Sequence, residues 1–429
     1  MKKKTSYTRS LRWDKLDNTA HLFPAIAGES LTNVYRISVV LKEKIVPEAL
    51  QQALDLLLPK IDSFNVRLRQ GVFWYYFEEN GKPAPKVTEE SLFPCRYILP
   101  NRNQSYLFRV TYYECRINLE VFHVLTDGMG GLNFLRELTY QYLRLVHPEL
   151  RVEGGDKLST ATSLNHEDSF VKNYRQSKPS GFEKEKAYRI KQERLQVGEL
   201  GIMHGFMPVK QLKEVSHRYG ASINEYLVST YVWSVYKECL HEMKSDLPIR
   251  VAVPVNLRSF FDSVTTKNFF AMVSAEFKPQ KDEYTFEEIL AIIQESLHSQ
   301  ITKEHMEDVF SYSVSNQKNP FLRWVPLSLK NIAMKLVYSK SAFANTTTIT
   351  NIGNVGVEEQ YRPYIEMFHA FIAMSKGQYL KGTICSYGDT LAFSFSSLFA
   401  DTCVQRAFFR RIASDGISVR IETNGVYYE

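Results

Sequence analysis

Residues 106 to 145 constrain the fold most tightly, because they read in order as two strands, a turn carrying a histidine, and a helix. Tyr106 to Tyr113 and Arg116 to Phe122 alternate Val, Ile, Leu, Phe and Tyr with polar residues, and Glu114-Cys115 supplies a turn between them. The second segment runs into Phe122-His123-Val124-Leu125-Thr126-Asp127-Gly128, followed by Met129-Gly130-Gly131. Leu132, Leu135, Leu138, Tyr142 and Leu145 then recur three and four apart, which places them on one helical face. A strand–loop–helix junction of this kind holds a side chain rigidly.

The residue held there is a histidine, the side chain best suited to accept a proton near neutral pH and return it later. Transfer of an acyl group from a thioester to a hydroxyl needs one such base. The imidazolium it forms can protonate the departing thiolate, so no covalent acyl-enzyme is required. In this reading Asp127 pairs with a distant arginine and keeps the loop in shape. Gly128, without a Cβ, lets substrate approach the ring. The plainer reading treats His123 as a core residue ending an apolar strand, and the glycines as a flexible turn. Other chemistries leave no signature: there is no GxSxG, P-loop, HExxH or complete GxGxxG. Glu304-His305 with Glu307-Asp308 reads as a solvated helix end, His166-Glu167-Asp168 as surface, and His369 as a packed core residue. No metal site is expected.

The 429 residues, 44% hydrophobic and 13% aromatic, are enough for two core-forming halves. Composition turns polar from Glu153 to Gln196, so residues 1–152 are expected to form one half, 153–200 a crossover, and 201–429 the other. Lys178-Pro179-Ser180-Gly181 and Glu183-Lys184-Glu185-Lys186 lie in that crossover. In the second half, strands are expected at 202–207, 249–255, 346–351, 378–385, 391–397 and 417–422. Helices start at capping boxes on Ser222 and Thr285, and one more is opened by Asp401. A net charge of +6 is mild, without the basic stripe of a nucleic-acid binder. The Lys2-Lys3-Lys4 start leads into no apolar leader, and no uncharged stretch is long enough for a membrane span. Five scattered cysteines fit a reducing cytoplasm.

Phe-His-x-x-x-Asp-Gly at 122–128 resembles the signature of the chloramphenicol-acetyltransferase-like superfamily, which includes peptide-synthetase condensation domains. Three further segments are similar to its bacterial alcohol acetyltransferase branch: Arg12-Trp13-Asp14-Lys15-Leu16-Asp17-Asn18, Pro254-Val255-Asn256-Leu257-Arg258-Ser259-Phe260-Phe261, and Thr350-Asn351-Ile352-Gly353. The resemblance implies an α/β fold of two sandwich halves with mixed sheets, set in a V around a central tunnel. It makes His123 the general base, with Asp127 structural and Gly128 in the same motif. Arg258 is the expected partner of Asp127. Thr348, Thr350 and Asn351 are candidates for binding substrate or the oxyanion. It also implies acyl-CoA as co-substrate, no permanently bound cofactor, and a small alcohol as acceptor. A carrier-protein donor, as in condensation domains, is the alternative enzyme reading, and an acyl- or partner-binding protein without catalysis is the third. Condensation domains carry two adjacent histidines, whereas the first position here is Phe122, which weighs against peptide-bond formation.

Overall fold

The computed structural model describes residues 12–151, 158–159, 165, 167–176 and 185–427. The lysine-rich start, His166, Lys178 to Gly181 and Glu183-Lys184 lie outside the described residues. The predicted hairpin forms as Phe108–Tyr113 and Arg116–Phe122, paired antiparallel. It sits in a five-stranded sheet ordered Ile365–Ile372, Val34–Leu41, Arg116–Phe122, Phe108–Tyr113, Thr88–Glu89. Its last pair, Thr88–Glu89 with Phe108–Tyr113, is parallel, so the sheet is mixed. Ile365–Ile372 joins this sheet from far along the chain, by antiparallel pairing with Val34–Leu41.

The second sheet has seven strands, in the order Phe270–Phe277, Ile249–Asn256, Thr347–Asn354, Leu380–Tyr387, Thr390–Ser397, Gly201–Pro208, Arg420–Thr423. Thr347–Asn354 runs parallel to both of its neighbours and the other pairs are antiparallel, so this sheet is also mixed. A small third sheet joins Trp13–Lys15, Tyr75–Glu79 and Val66–Gln70. The architecture is therefore α/β with mixed sheets. Ile365–Ile372 packs against Leu380–Tyr387 and Thr390–Ser397, and there the two large sheets meet.

Capping boxes open Ile223–Cys239 at Ser222 and Phe286–Gln300 at Thr285; in each, the N-cap hydroxyl and the glutamate three residues on satisfy one another's backbone N–H. The strand Tyr75–Glu79 starts after a turn in which Gly71 N bonds Trp74 O, and Val72 and Trp74 are exposed there. One expectation shifts. The helix expected from Asp401 runs Cys403–Ser414 with Thr402 in the N-cap position. The Asp401 carboxylate still accepts from Cys403 N at 2.9 Å.

Candidate active site

His123 follows the strand Arg116–Phe122 directly, its N–H bonded to Asn33 O at 2.9 Å. The helix Gly128–Val146 begins five residues later with Asp127 as N-cap, whose Oδ1 accepts from Met129 N and Gly130 N at 3.2 Å each. The same carboxylate takes a two-pronged contact from Arg258, at 2.9 and 3.1 Å, and a third bond from Phe269 N at 3.0 Å. Arg258 also donates to Thr265 O and Lys267 O. The aspartate is buried, so its charge depends on this fork for compensation. The two residues lie 131 positions apart in sequence, and their contact fastens the histidine loop to the segment 257–269. Thr126 Oγ1 donating to Thr266 O at 2.6 Å is a second tie.

The three glycines play different parts. A Cβ on Gly130 would fall 1.8 Å from Thr126 Oγ1 and 2.8 Å from Thr266 O, and one on Gly131 would meet Tyr35 Oη at 2.6 Å. Close packing of the loop requires both. At Gly128 a Cβ would make only ordinary contact with Ile352, at 3.7 Å, so packing does not require a glycine there.

The His123 ring stacks on Phe23 at 4.6 Å between centroids, with the edge of Tyr35 at 5.2 Å. Its Nδ1 lies 3.1 Å from Asn268 Oδ1. Asn268 is itself oriented: its Nδ2 donates to Asp17 Oδ2 at 2.8 Å, and its backbone N–H donates to the same oxygen at 3.2 Å. Asp17 Oδ1 accepts from Ala20 N at 2.8 Å. With the amide nitrogen of Asn268 committed to Asp17, its oxygen faces the ring. Nδ1 then carries the proton and the lone pair lies on Nε2. Burial pushes the imidazole below the usual histidine range of 6.5; a bond to its own carbonyl, the Asp127 charge and Asn268 oppose this, and Lys381 adds to it. The ring is therefore a neutral base at pH 7. Burial raises Asp17 to about 7, against the hydrogen bonds from Asn268 and Ala20.

Sequence reading singled out neither Asn268 nor the role of Asp17. Asp17 lies in the quoted opening segment, and Asn268 ends a polar run, Thr265-Thr266-Lys267-Asn268, just before the strand Phe270–Phe277. That run after the Arg258 motif was the available signal. Among the other candidates, Ile352 brings the 350–353 segment against Gly128. The Thr348 hydroxyl is committed to Gln378 Oε1 at 2.7 Å. Asn351 is exposed, with Oδ1 on Gly353 N and Nδ2 toward Asn224. A cavity of about 290 Å³ is lined by Arg12, Asp14, Leu125, Thr266 and Lys267 among others, and not by His123. Among the described residues no His/Cys/Asp/Glu group is placed to hold a metal, and no helix is long and apolar enough to cross a membrane.

No family model matches the sequence, and no curated protein does. Solved structures match over nearly the whole chain. Polyketide synthase associated protein 5 from Mycobacterium tuberculosis is similar at a TM-score of 0.61 and 13% identity, covering 94% of this chain and 97% of that one. F. sporotrichioides TRI101, complexed with coenzyme A and T-2, gives 0.64 at 9% identity, over 96% and 99%. The first condensation domain of the calcium-dependent antibiotic synthetase, in complex with a substrate analogue, gives 0.61 at 10% identity, over 94% and 96%.

Proposed function

Starting from a chain with the two-lobed fold of the chloramphenicol-acetyltransferase-like and condensation-domain superfamily, we propose an acyltransferase that moves an acyl group, acetyl in the first instance, from acyl-CoA to an alcohol. The observation that carries this reading is the set of His123, with Nδ1 held by Asn268 and Nε2 left as the basic nitrogen. Nε2 takes the proton of the acceptor hydroxyl as its oxygen bonds to the thioester carbonyl carbon. The carbon–sulfur bond then breaks, and the imidazolium returns its proton to the thiolate, so ester and free thiol leave and the ring is neutral again.

Asp127 and Arg258 act as scaffold, holding the loop from which His123 projects. Gly128 is assigned the approach of substrate to the ring, a role for Gly128→Ala to test, since a Cβ there would make only ordinary contact with Ile352. For the oxyanion we favour the Thr350 hydroxyl over Thr348 and Asn351, whose side chains are otherwise engaged; one well-placed donor is worth roughly 3–4 kcal/mol in such reactions. Residues 1–152 and 201–429 are taken as the two halves, with 153–200 as the crossover, although the strand Ile365–Ile372 pairs into the first sheet. Five free cysteines suit a reducing cytoplasm.

Purified protein with acetyl-CoA and a panel of alcohols, read by thiol release and ester formation, tests the reading. Ester with stoichiometric thiol supports it. Turnover only with carrier-loaded donors would move the function to condensation-type transfer. No turnover with either donor, with acyl ligands still bound, would make the chain a binding protein.

A further inference from the structure

The helix Leu327–Ser341 is apolar on two opposite sides, and only one is covered. Leu327 is buried on the inner side. Leu329, Ile332, Leu336 and Val337 on the outer side are each more than half exposed. An uncovered apolar stripe of this size on a surface helix marks an interaction face. Just before it, Phe321 and Trp324 are 86% and 76% exposed. The surface continues onto the neighbouring turn. Trp324 meets the Phe73 ring edge-on at 5.9 Å, Phe73 lies 6.0 Å from Trp74, and Val72 and Trp74 are exposed. Leu327 N bonds Val72 O, and Lys330 Nζ bonds Phe73 O, so helix and turn form one continuous face.

The charge on this face is one-sided. Residues 318–341 hold Lys318, Arg323, Lys330, Lys335 and Lys340 and no Asp or Glu, while the whole chain carries +6. Arg323, Lys335 and Lys340 are exposed and have no carboxylate partner among the described residues. Exposed Leu, Ile, Phe and Trp ringed by unpaired lysine and arginine is the pattern that settles into the headgroup region of an anionic bilayer. A second copy of this chain would bring like charges together over the same patch, which disfavours it as the occupant.

We propose that residues 321–340, with the turn at 72–74, dock this protein on the surface of an anionic phospholipid membrane without crossing it. The docking helix packs on the short helix Leu22–Ile26, whose Phe23 stacks on His123. A docked chain therefore keeps the candidate active site directly behind its lipid-facing layer.

The test is co-sedimentation of the full chain with vesicles of phosphatidylcholine alone or mixed with phosphatidylglycerol, a binding readout independent of turnover. Anionic vesicles should retain at least ~10-fold more protein than neutral ones, with retention falling as salt rises. Trp324→Glu with Leu336→Glu, and separately Lys335→Glu with Lys340→Glu, should each cut retention about 10-fold, with unchanged thermal melts confirming an intact fold. Met243→Glu, at an exposed apolar residue elsewhere, should bind as the parent does. Equal recovery in the supernatant with and without anionic vesicles overturns the proposal, as does binding indifferent to both double variants. A dimer broken by Trp324→Glu, with no vesicle binding, assigns the face to a second copy and overturns it equally.

Discussion

His204 and His369 are buried and His123 is half-buried, and desolvation lowers all three imidazoles: His123 below 6.5, His204 to about 3, His369 well below its ordinary value. Their surroundings differ. His204 and His369 face one another across the junction of the two large sheets, 4.3 Å between centroids. His204 Nδ1 is taken up by Ser394 Oγ, and His369 Nδ1 has no hydrogen-bond partner among the described residues. His123 has an amide holding one nitrogen, a carboxylate holding the amide, and a loop clamped by Arg258. Depressed basicity is common to both regions, so it does not identify the base. His204 also has one nitrogen bonded, so what sets His123 apart is the relay behind that bond, Asp17 to Asn268 to Nδ1, on a loop that Arg258 clamps.

The contrast can be broken most sharply at the two histidines themselves. His123→Ala should lower kcat for acyl transfer by about 10²–10⁴-fold, as for a lost general base, whereas His369→Phe should keep turnover. A His123→Ala enzyme at full rate would erase the distinction. Next in size is the clamp. Arg258→Ala leaves the buried Asp127 charge unpaired and should cost about 3–5 kcal/mol in urea unfolding, the usual penalty for halving a buried pair; a loss below ~1 kcal/mol would mean the loop does not depend on it.

A smaller effect is expected at Asn268. Asn268→Ala should reduce kcat roughly 10-fold with little change in KM, the typical scale for removing a group that orients a functional histidine. Asn268→Asp puts a carboxylate beside Nδ1 and should move the acidic limb of the rate profile to higher pH. Because His123 is lowered in the folded chain, activity should be full above 6.5 and fall only at more acidic pH.

The smallest effect concerns stability. His204 and His369 are neutral in the fold and gain a proton more readily when unfolded, so their contribution is complete above 6.5 and declines as pH drops below it. Replacing both by Phe should flatten the fall in melting temperature between pH 6.5 and about 4. An unchanged slope would show that the pair does not report burial in this way.

Much of the region around His123 was legible because its signals are local. Period-two alternation marked the hairpin, and Asp127 followed by glycines marked the helix start. The Asp127–Arg258 pairing was readable only through resemblance, since nothing local links residues 131 apart. Asn268 escaped because its role exists only once Asp17, Asn268 and His123 converge from three distant segments. The strand Ile365–Ile372 escaped for a related reason: its pairing partner, Val34–Leu41, lies at the other end of the chain. His369 was read as a core residue, and it is buried between the sheets.

The arrangement at His123 is tested most directly by nitrogen NMR of the histidine-labelled protein across a pH titration. The structure predicts a neutral His123 protonated on Nδ1, with a lone pair on Nε2 and a midpoint below 6.5. A proton on Nε2 would contradict it, because the basic lone pair would then face Asn268 and not the acceptor hydroxyl; a midpoint above 6.5 would contradict the lowering that desolvation imposes on the ring.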